Sequence, residues 1–194
     1  MKMERTNNNR NLENKKPNVT EDFAIVLDVI TANNGFGVSY TVQAIGFNTF
    51  VLFELIPKKG VDIDSGEKVY IGDGKRDKIQ YIKRVLYYDK LSGSANSELY
   101  YALLDIIDEK EDFFVNFFNT AGPISLRRHA LEIIGGIGKK HLTSLLDIRN
   151  EKPFESFEDI KKRCVFIQEP KKLIADRIVD ELKGTADMKF FVKK

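Results

Sequence analysis

The chain has 194 residues, 42% hydrophobic and 31% charged, with a formal net charge of +2. That composition suits a soluble globular protein with a core of its own, and no apolar run reaches the length of a membrane span. One cysteine, Cys164, excludes an internal disulfide, and with only His129 and His141 beside it the chain has a poor zinc set. The start, Met1-Lys2-Met3-Glu4-Arg5, lacks the apolar stretch of a signal peptide, so the expectation is a reduced, cytoplasmic protein without metal or cofactor.

The small net charge hides an uneven distribution. Residues 1–20 carry +3, residues 21–93 carry −1, residues 94–120 carry −5 and residues 121–194 carry +5. Positive excess at the two ends is the polarity of a nucleic-acid footprint, although proteins with other partners share it. Residues 1–20 are rich in Asn, Lys and Glu and poor in large apolar groups, which predicts a disordered tail.

From residue 21 to residue 93 the apolar period is two. Phe23, Ile25, Leu27 and Val29 alternate with other residues, as do Val38, Tyr40, Val42 and Ala44. Phe50 to Leu55, Lys68 to Ile71 and Ile79 to Tyr88 continue the series, separated by breaks rich in Gly, Pro and Asp. Five short strands predict a small closed or half-open β-barrel of OB or SH3-like type, with a strand order that periodicity does not give. Within it, Gly72-Asp73-Gly74-Lys75-Arg76-Asp77-Lys78 is a glycine loop carrying three basic residues. It lacks the spacing of a nucleotide-binding loop, so Lys75, Arg76 and Lys78 are read as a nucleic-acid backbone contact, against a solvated turn. Lys83 and Arg84 on the next strand would extend the patch. Tyr81 and Tyr87 are expected to share one strand face and Tyr88 the other, with base stacking as a minor role.

After Ser97 the period becomes helical. Leu99, Ala102, Leu103, Ile106 and Ile107 form a stripe, followed by Phe113, Phe114, Phe117 and Phe118 as core. Residues 94–120 are thus connecting helices, and Pro123 is expected to start the next one.

Residues 121–194 hold the most informative stretch, Ile134-Gly135-Gly136-Ile137-Gly138-Lys139-Lys140. Leu126, Ala130, Leu131, Ile133 and Ile134 upstream, and Leu142, Leu145, Leu146 and Ile148 downstream, recur at helical spacing. The glycines between them forbid a continuous helix and suit a tight turn, with positive φ expected at Gly136 and Gly138. Gly138 then opens a helix whose free N–H groups and dipole attract anions, with Lys139 and Lys140 alongside. The stretch resembles the helix-hairpin-helix motif, which grips nucleic-acid phosphates through backbone amides; Gly135 stands where that motif usually has proline. The plain alternative is a structural turn with two solvated lysines. Ser156 with Glu158 and Asp159 marks a short helix, and Pro170 to Gly184 a last one, so the layout repeats as a tandem pair. The second connector, Cys164 to Pro170, has no glycine and is assigned packing.

Catalytic equipment is sparse. His129 and His141 have no nucleophile motif beside them, and the carboxylates are scattered, so an enzyme is the less expected class.

Several stretches together resemble an archaeal family known as domain of unknown function 655. They are Ile56 to Gly60, Val69 to Gly72, Gly74 to Ile79, Ser97 to Leu99, Phe117 to Ile124, Ile137 to Lys140 and Lys152 to Ile160. The resemblance covers nearly all of the chain after residue 20. It implies a barrel-like N-terminal part, a helix-hairpin-helix C-terminal part and nucleic-acid binding, with no catalytic residues to carry over. Gene neighbours of that family, an rRNA dimethylase among them, point to RNA and to the ribosome or the transcription machinery. The expectation is a non-enzymatic binder of RNA or structured DNA using Gly136, Gly138, Lys139 and Lys140, with Lys75, Arg76 and Lys78 as a second contact. A protein-interaction module and a junction-DNA binder are the alternatives.

Overall fold

A computed structural model describes residues 20–33, 35 and 37–193. The expected tail, residues 1–20, lies outside these apart from Thr20.

Strands β1 (Phe23–Asn33), β2 (Val38–Gly46), β3 (Leu52–Pro57), β4 (Lys68–Tyr70) and β5 (Ile79–Leu86) form one antiparallel sheet ordered β4-β1-β2-β3-β5. Val29 faces Val42, Ala44 faces Phe53, and Phe53 in turn faces Val85. Residues 58–67 carry the chain across to pair β4 with β1, and β5 returns to β3, which leaves β4 and β5 as the edges of a curled half-barrel.

Both sheet faces are covered, which explains the unbroken buried runs Ala24–Leu27 and Leu52–Leu55. Ala24, Val26, Val42, Ala44, Phe53 and Leu55 pack with Val69 and Ile79 inside the curl. Ile25, Leu27, Ile45, Leu52 and Leu86 point the other way, into a core shared with the helices.

Helix α1 (Gly93–Glu109) starts one residue before the expected helical segment, residues 94–120. The sheet fixes that start: Ser92 Oγ accepts the Ala95 N–H at 3.0 Å and donates to Asp28 at 2.6 Å, while Gln43 bonds to Lys90 O and Ser92 N–H. α2 (Glu111–Thr120) follows after a break at Lys110. Phe114 and Phe118 are core as expected, but Phe113 is 51% exposed.

The helix expected from Pro123 is not formed. Pro123–Ser125 (β6) and Arg128–His129 (β7) pair as a short ribbon, followed by a single 3-10 turn, Ala130–Ile133. His129 sets that outcome: its Nδ1 accepts the Leu131 N–H at 3.1 Å, and its own N–H donates to Glu132 at 2.6 Å. This box starts the turn at Ala130, and the glycines at 135 and 136 leave room for one turn only, too little to nucleate an α-helix. Leu126, counted as part of the apolar stripe, is fully exposed at the ribbon tip.

Helices α3 (Lys139–Glu151), α4 (Phe157–Arg163) and α5 (Pro170–Lys183) complete the chain. Ser156 caps α4, Pro170 opens α5, and Gly184 ends it at φ 75°, each where the sequence placed it. Arg163 joins α4 to α3 by donating to Ile148 O (2.7 Å) and Lys152 O (2.6 Å). Arg149 on α3 donates to Phe118 O and Ala121 O, closing the end of α2. Residues 188–193 form a strap back to the sheet: Phe191 packs edge-on to Phe114 and Phe117, and Lys193 N–H donates to Thr49 O at 3.0 Å.

Candidate nucleic-acid interface

The glycine turn is anchored from below and open above. Ile134 and Ile137 are buried, whereas Gly135, Gly136, Gly138, Lys139 and Lys140 are exposed. Ile137 N–H donates to Ile134 O, and Arg177 from α5 donates to Ile133 O at 3.3 Å, fixing the approach to the turn. Burial, and then the charge of Arg149, hold the His129 pKa below its ordinary value, which keeps the imidazole neutral and able to accept the Leu131 N–H.

Gly136 has φ 82°, as expected for the reversal. Gly138 does not: it is the N-cap of α3 at φ −82° and ψ 175°, extended backbone open to any residue. An N-cap lies in the β region by the geometry of helix entry, so one left-handed residue suffices for this turn. Nothing lies within 4 Å of where a Cβ would stand at either glycine.

Because Gly138 has no side chain, no cap covers the first turn of α3. The N–H groups of Gly138, Lys139, Lys140 and His141 have no acceptor among the described residues, whose next helical bond is Leu142 N–H to Gly138 O at 2.8 Å. These amides border an open depression of about 530 Å³ lined by Glu132 and residues 134–141. Glu132 is its one carboxylate among the described residues, already engaged by the His129 N–H. Lys139 and Lys140 take part in no ion pair among the described residues.

His141 braces the turn in a way the sequence did not reveal. Its Nδ1 lies 3.0 Å from Gly136 O, and since a carbonyl only accepts, that nitrogen carries the proton. The ring stacks on Phe166 with centroids 4.6 Å apart and planes 12° from parallel. The second connector therefore supports the first, consistent with its assignment to packing. Cys164 within it is buried, and burial pushes its thiol up to about 11, far from a nucleophile's range.

The barrel loop is less free than its composition suggests. Lys75 is exposed, but Arg76 Nε donates to Gly72 O at 2.8 Å, and Lys78 pairs with Glu67 at 2.7 Å and donates to Asp62 O. Lys83 and Arg84, expected to extend the patch, both pair with the buried Glu54 of β3, which offsets part of their charge. Loop and hairpin share no hydrogen bond or ion pair among the described residues. Tyr81 and Tyr87 are exposed, while Tyr88 lies in a 3-10 turn beyond β5 with Lys183 Nζ 5.2 Å from its ring. Among the described residues no three His, Cys, Asp or Glu side chains gather as a metal set, and no helix is long and apolar enough to cross a membrane.

A family model described as protein of unknown function DUF655 matches residues 20–193. The chain belongs to the DUF655 family. It is 40% identical over 182 residues to the uncharacterized protein MJ0038 of Methanocaldococcus jannaschii, covering 91% of this chain and 81% of that one. The crystal structure of Af1531 from Archaeoglobus fulgidus, also a DUF655 protein, superposes with a TM-score of 0.81 at 38% identity, covering 89% of this chain and all of that one. A further similarity, 31% over 107 residues, is to UvrABC system protein C of Mycoplasmoides gallisepticum; it involves 54% of this chain and 17% of that protein.

Proposed function

We propose that this DUF655 protein binds nucleic acid, RNA foremost, by its phosphate backbone and without strong sequence preference. The observation that carries this reading is the uncapped first turn of α3, whose four amides stand beside exposed Lys139 and Lys140, all unpaired among the described residues. Unpaired N–H groups at a helix start carry about half a positive charge and hydrogen-bond phosphate oxygens. The positive φ of Gly136 turns the chain sharply enough to leave that start open. Phosphate contacts position a strand without reading bases, hence the weak selectivity.

In this reading α3 is the second helix of a helix-hairpin-helix motif, with the 3-10 turn in place of the first. α4 and α5 are a second, glycine-free copy that supports it through Phe166. The half-barrel of residues 21–93 is an OB or SH3-like unit joined through residues 94–120 to the helical part, residues 121–194. Its loop adds Lys75 as a free contact, with Arg76 and Lys78 contributing charge from their internal bonds. The ribosome or the transcription machinery is the proposed setting in the cytoplasm, with structured DNA as the alternative ligand.

Titration of single-stranded RNA, duplex and a four-way DNA junction at graded salt tests the reading. With about three to five phosphates engaged, log K falls against log salt with a slope of roughly −2 to −4.5. Lys139→Glu with Lys140→Glu weakens every ligand and leaves the melting temperature unchanged, whereas Lys75→Ala costs no more than a few-fold. A double variant that binds as the parent does at physiological salt makes the hairpin a structural turn. A second reading, a protein-interaction module, draws on Leu126 and Val165, exposed at two loop tips. Salt-insensitive, nuclease-resistant recovery of a protein partner would favour it.

A further inference from the structure

Lysines and phenylalanines converge at the corner of the sheet where the C-terminal strap ends. Lys68 Nζ stands 3.4 Å from the Phe47 ring centroid and 5.6 Å from that of Phe23. Lys110 Nζ lies 5.5 Å from Phe47, 5.4 Å from Phe50 and 5.0 Å from Phe113. Lys193 is delivered to the same corner by its backbone bond to Thr49 O. Burial lowers the Lys110 pKa, Glu21 opposes that shift, and the charges of Lys193 and Lys68 add to it.

Glu21 and Glu109 are engaged at this cluster and offset part of its charge. Glu21 is buried and accepts from Asn48 N–H (2.9 Å), Thr49 N–H (2.8 Å) and the Thr49 hydroxyl (2.8 Å). Glu109 pairs with Lys68. Glu111, next along, turns away to accept the Phe157 N–H.

Part of the cluster is a structural staple: Lys110 donates to Phe47 O and Asn48 Oδ1, tying the start of α2 to the β2–β3 turn. The staple has no use for Lys193, which is exposed, nor for the exposed parts of Phe113 (51% exposed) and Phe23 (39% exposed).

We propose that this corner is a second binding site, for an unpaired stretch of nucleic acid, with phosphate beside the exposed Lys193 and a base against the exposed part of the Phe113 ring. Clustered ammonium groups attract phosphate, and a phenyl face stacks any base, which together select single strands and not sequences. An acidic peptide would satisfy the lysines and leave Phe113 idle. The strap adds continuity: it runs from Met188, whose carbonyl accepts from the same Arg177 that holds Ile133 O, to Lys193. Its five residue steps span at most about 17 Å. The site shares its ligand class with the hairpin reading and none of its residues.

The test uses the full chain, Phe113→Ala and Lys193→Glu, and anisotropy titrations with a short oligouridylate, an abasic strand of equal length and a duplex. Phe113→Ala weakens the oligouridylate about tenfold and leaves the abasic strand unchanged, because only a base can stack. Lys193→Glu weakens both single strands and keeps the fold, since its backbone bond survives. If both variants hold the oligouridylate as the parent does, or polyglutamate competes as well as RNA, the site is refuted. Lys139→Glu with Lys140→Glu, titrated alongside, separates the two proposals: a loss there alone leaves the hairpin and removes the corner, and the converse removes the hairpin.

Discussion

Arg177 and Glu181, one turn apart on α5, form a buried ion pair of 3.0 Å from which two other segments hang. The guanidinium also donates to Ile133 O, just ahead of the glycine turn, and to Met188 O at the start of the strap. The carboxylate accepts three successive N–H groups, from Phe190 (3.0 Å), Phe191 (2.9 Å) and Val192 (2.9 Å). A buried carboxylate with three amide donors and a cation has its desolvation offset, so the arrangement is costly to break and not merely decorative.

Glu181→Gln keeps the shape and leaves Arg177 buried without a counter-charge. The expected loss is about 3–5 kcal/mol of unfolding free energy, read from urea denaturation. The strap's amides should also exchange faster with solvent than those of the β1–β2 ladder. A loss within the range of ordinary surface substitutions would mean that aromatic packing of Phe191, and not the ion pair, holds the strap.

The two glycines of the turn separate stability from binding. Gly136→Ala places a Cβ at φ 82° and costs about 1–2 kcal/mol. Gly138→Ala meets extended backbone and open space, so the stability change stays within about 0.5 kcal/mol, the reduced freedom of the unfolded chain balancing a poorer N-cap. Thermal melts of the two variants check the difference. Equal losses would mean that Gly138 does visit positive φ.

The strands, α4 and α5 were legible in the sequence because local chemistry agrees with tertiary placement there. Period-two runs lie between glycine breaks, Ser156 is a cap, Pro170 a first turn and Gly184 a left-handed stop. The helix expected from Pro123 failed because helical spacing from Leu126 to Ile134 was read without His129, whose ring and backbone close a capping box that redirects the chain. At the candidate site, the turn and its bare N-cap were legible from glycine spacing. The brace from His141 to Phe166 was not, since it joins residues 25 apart in sequence through a fold that spacing does not encode. Charge misled for a related reason. Lys83 and Arg84 read as an extension of the basic loop, and only strand pairing shows that they pair with Glu54.

Glu54 also gives the fold an acid-sensitive element. Burial by itself would raise its pKa, but the hydrogen bonds and charges of Lys83 and Arg84 outweigh burial and hold it below the ordinary value of 4.5. Folding thus favours the ionised carboxylate. The resulting stability is fully present above the unfolded-state pKa and is lost as pH falls through the folded-state pKa. Glu54→Gln removes this element: the variant is less stable than the parent at neutral pH, by about 1–2 kcal/mol for lost hydrogen bonds to a charged group. Lys83 and Arg84 are largely exposed and re-solvate, which keeps the loss below that of a fully buried pair. Unfolding curves recorded from neutral pH down through the carboxylate range check the sign. The gap between parent and variant should close as pH falls, because the parent alone loses the contribution. A gap that stays constant with pH would mean that Glu54 acts through the shape of its side chain and not through its charge.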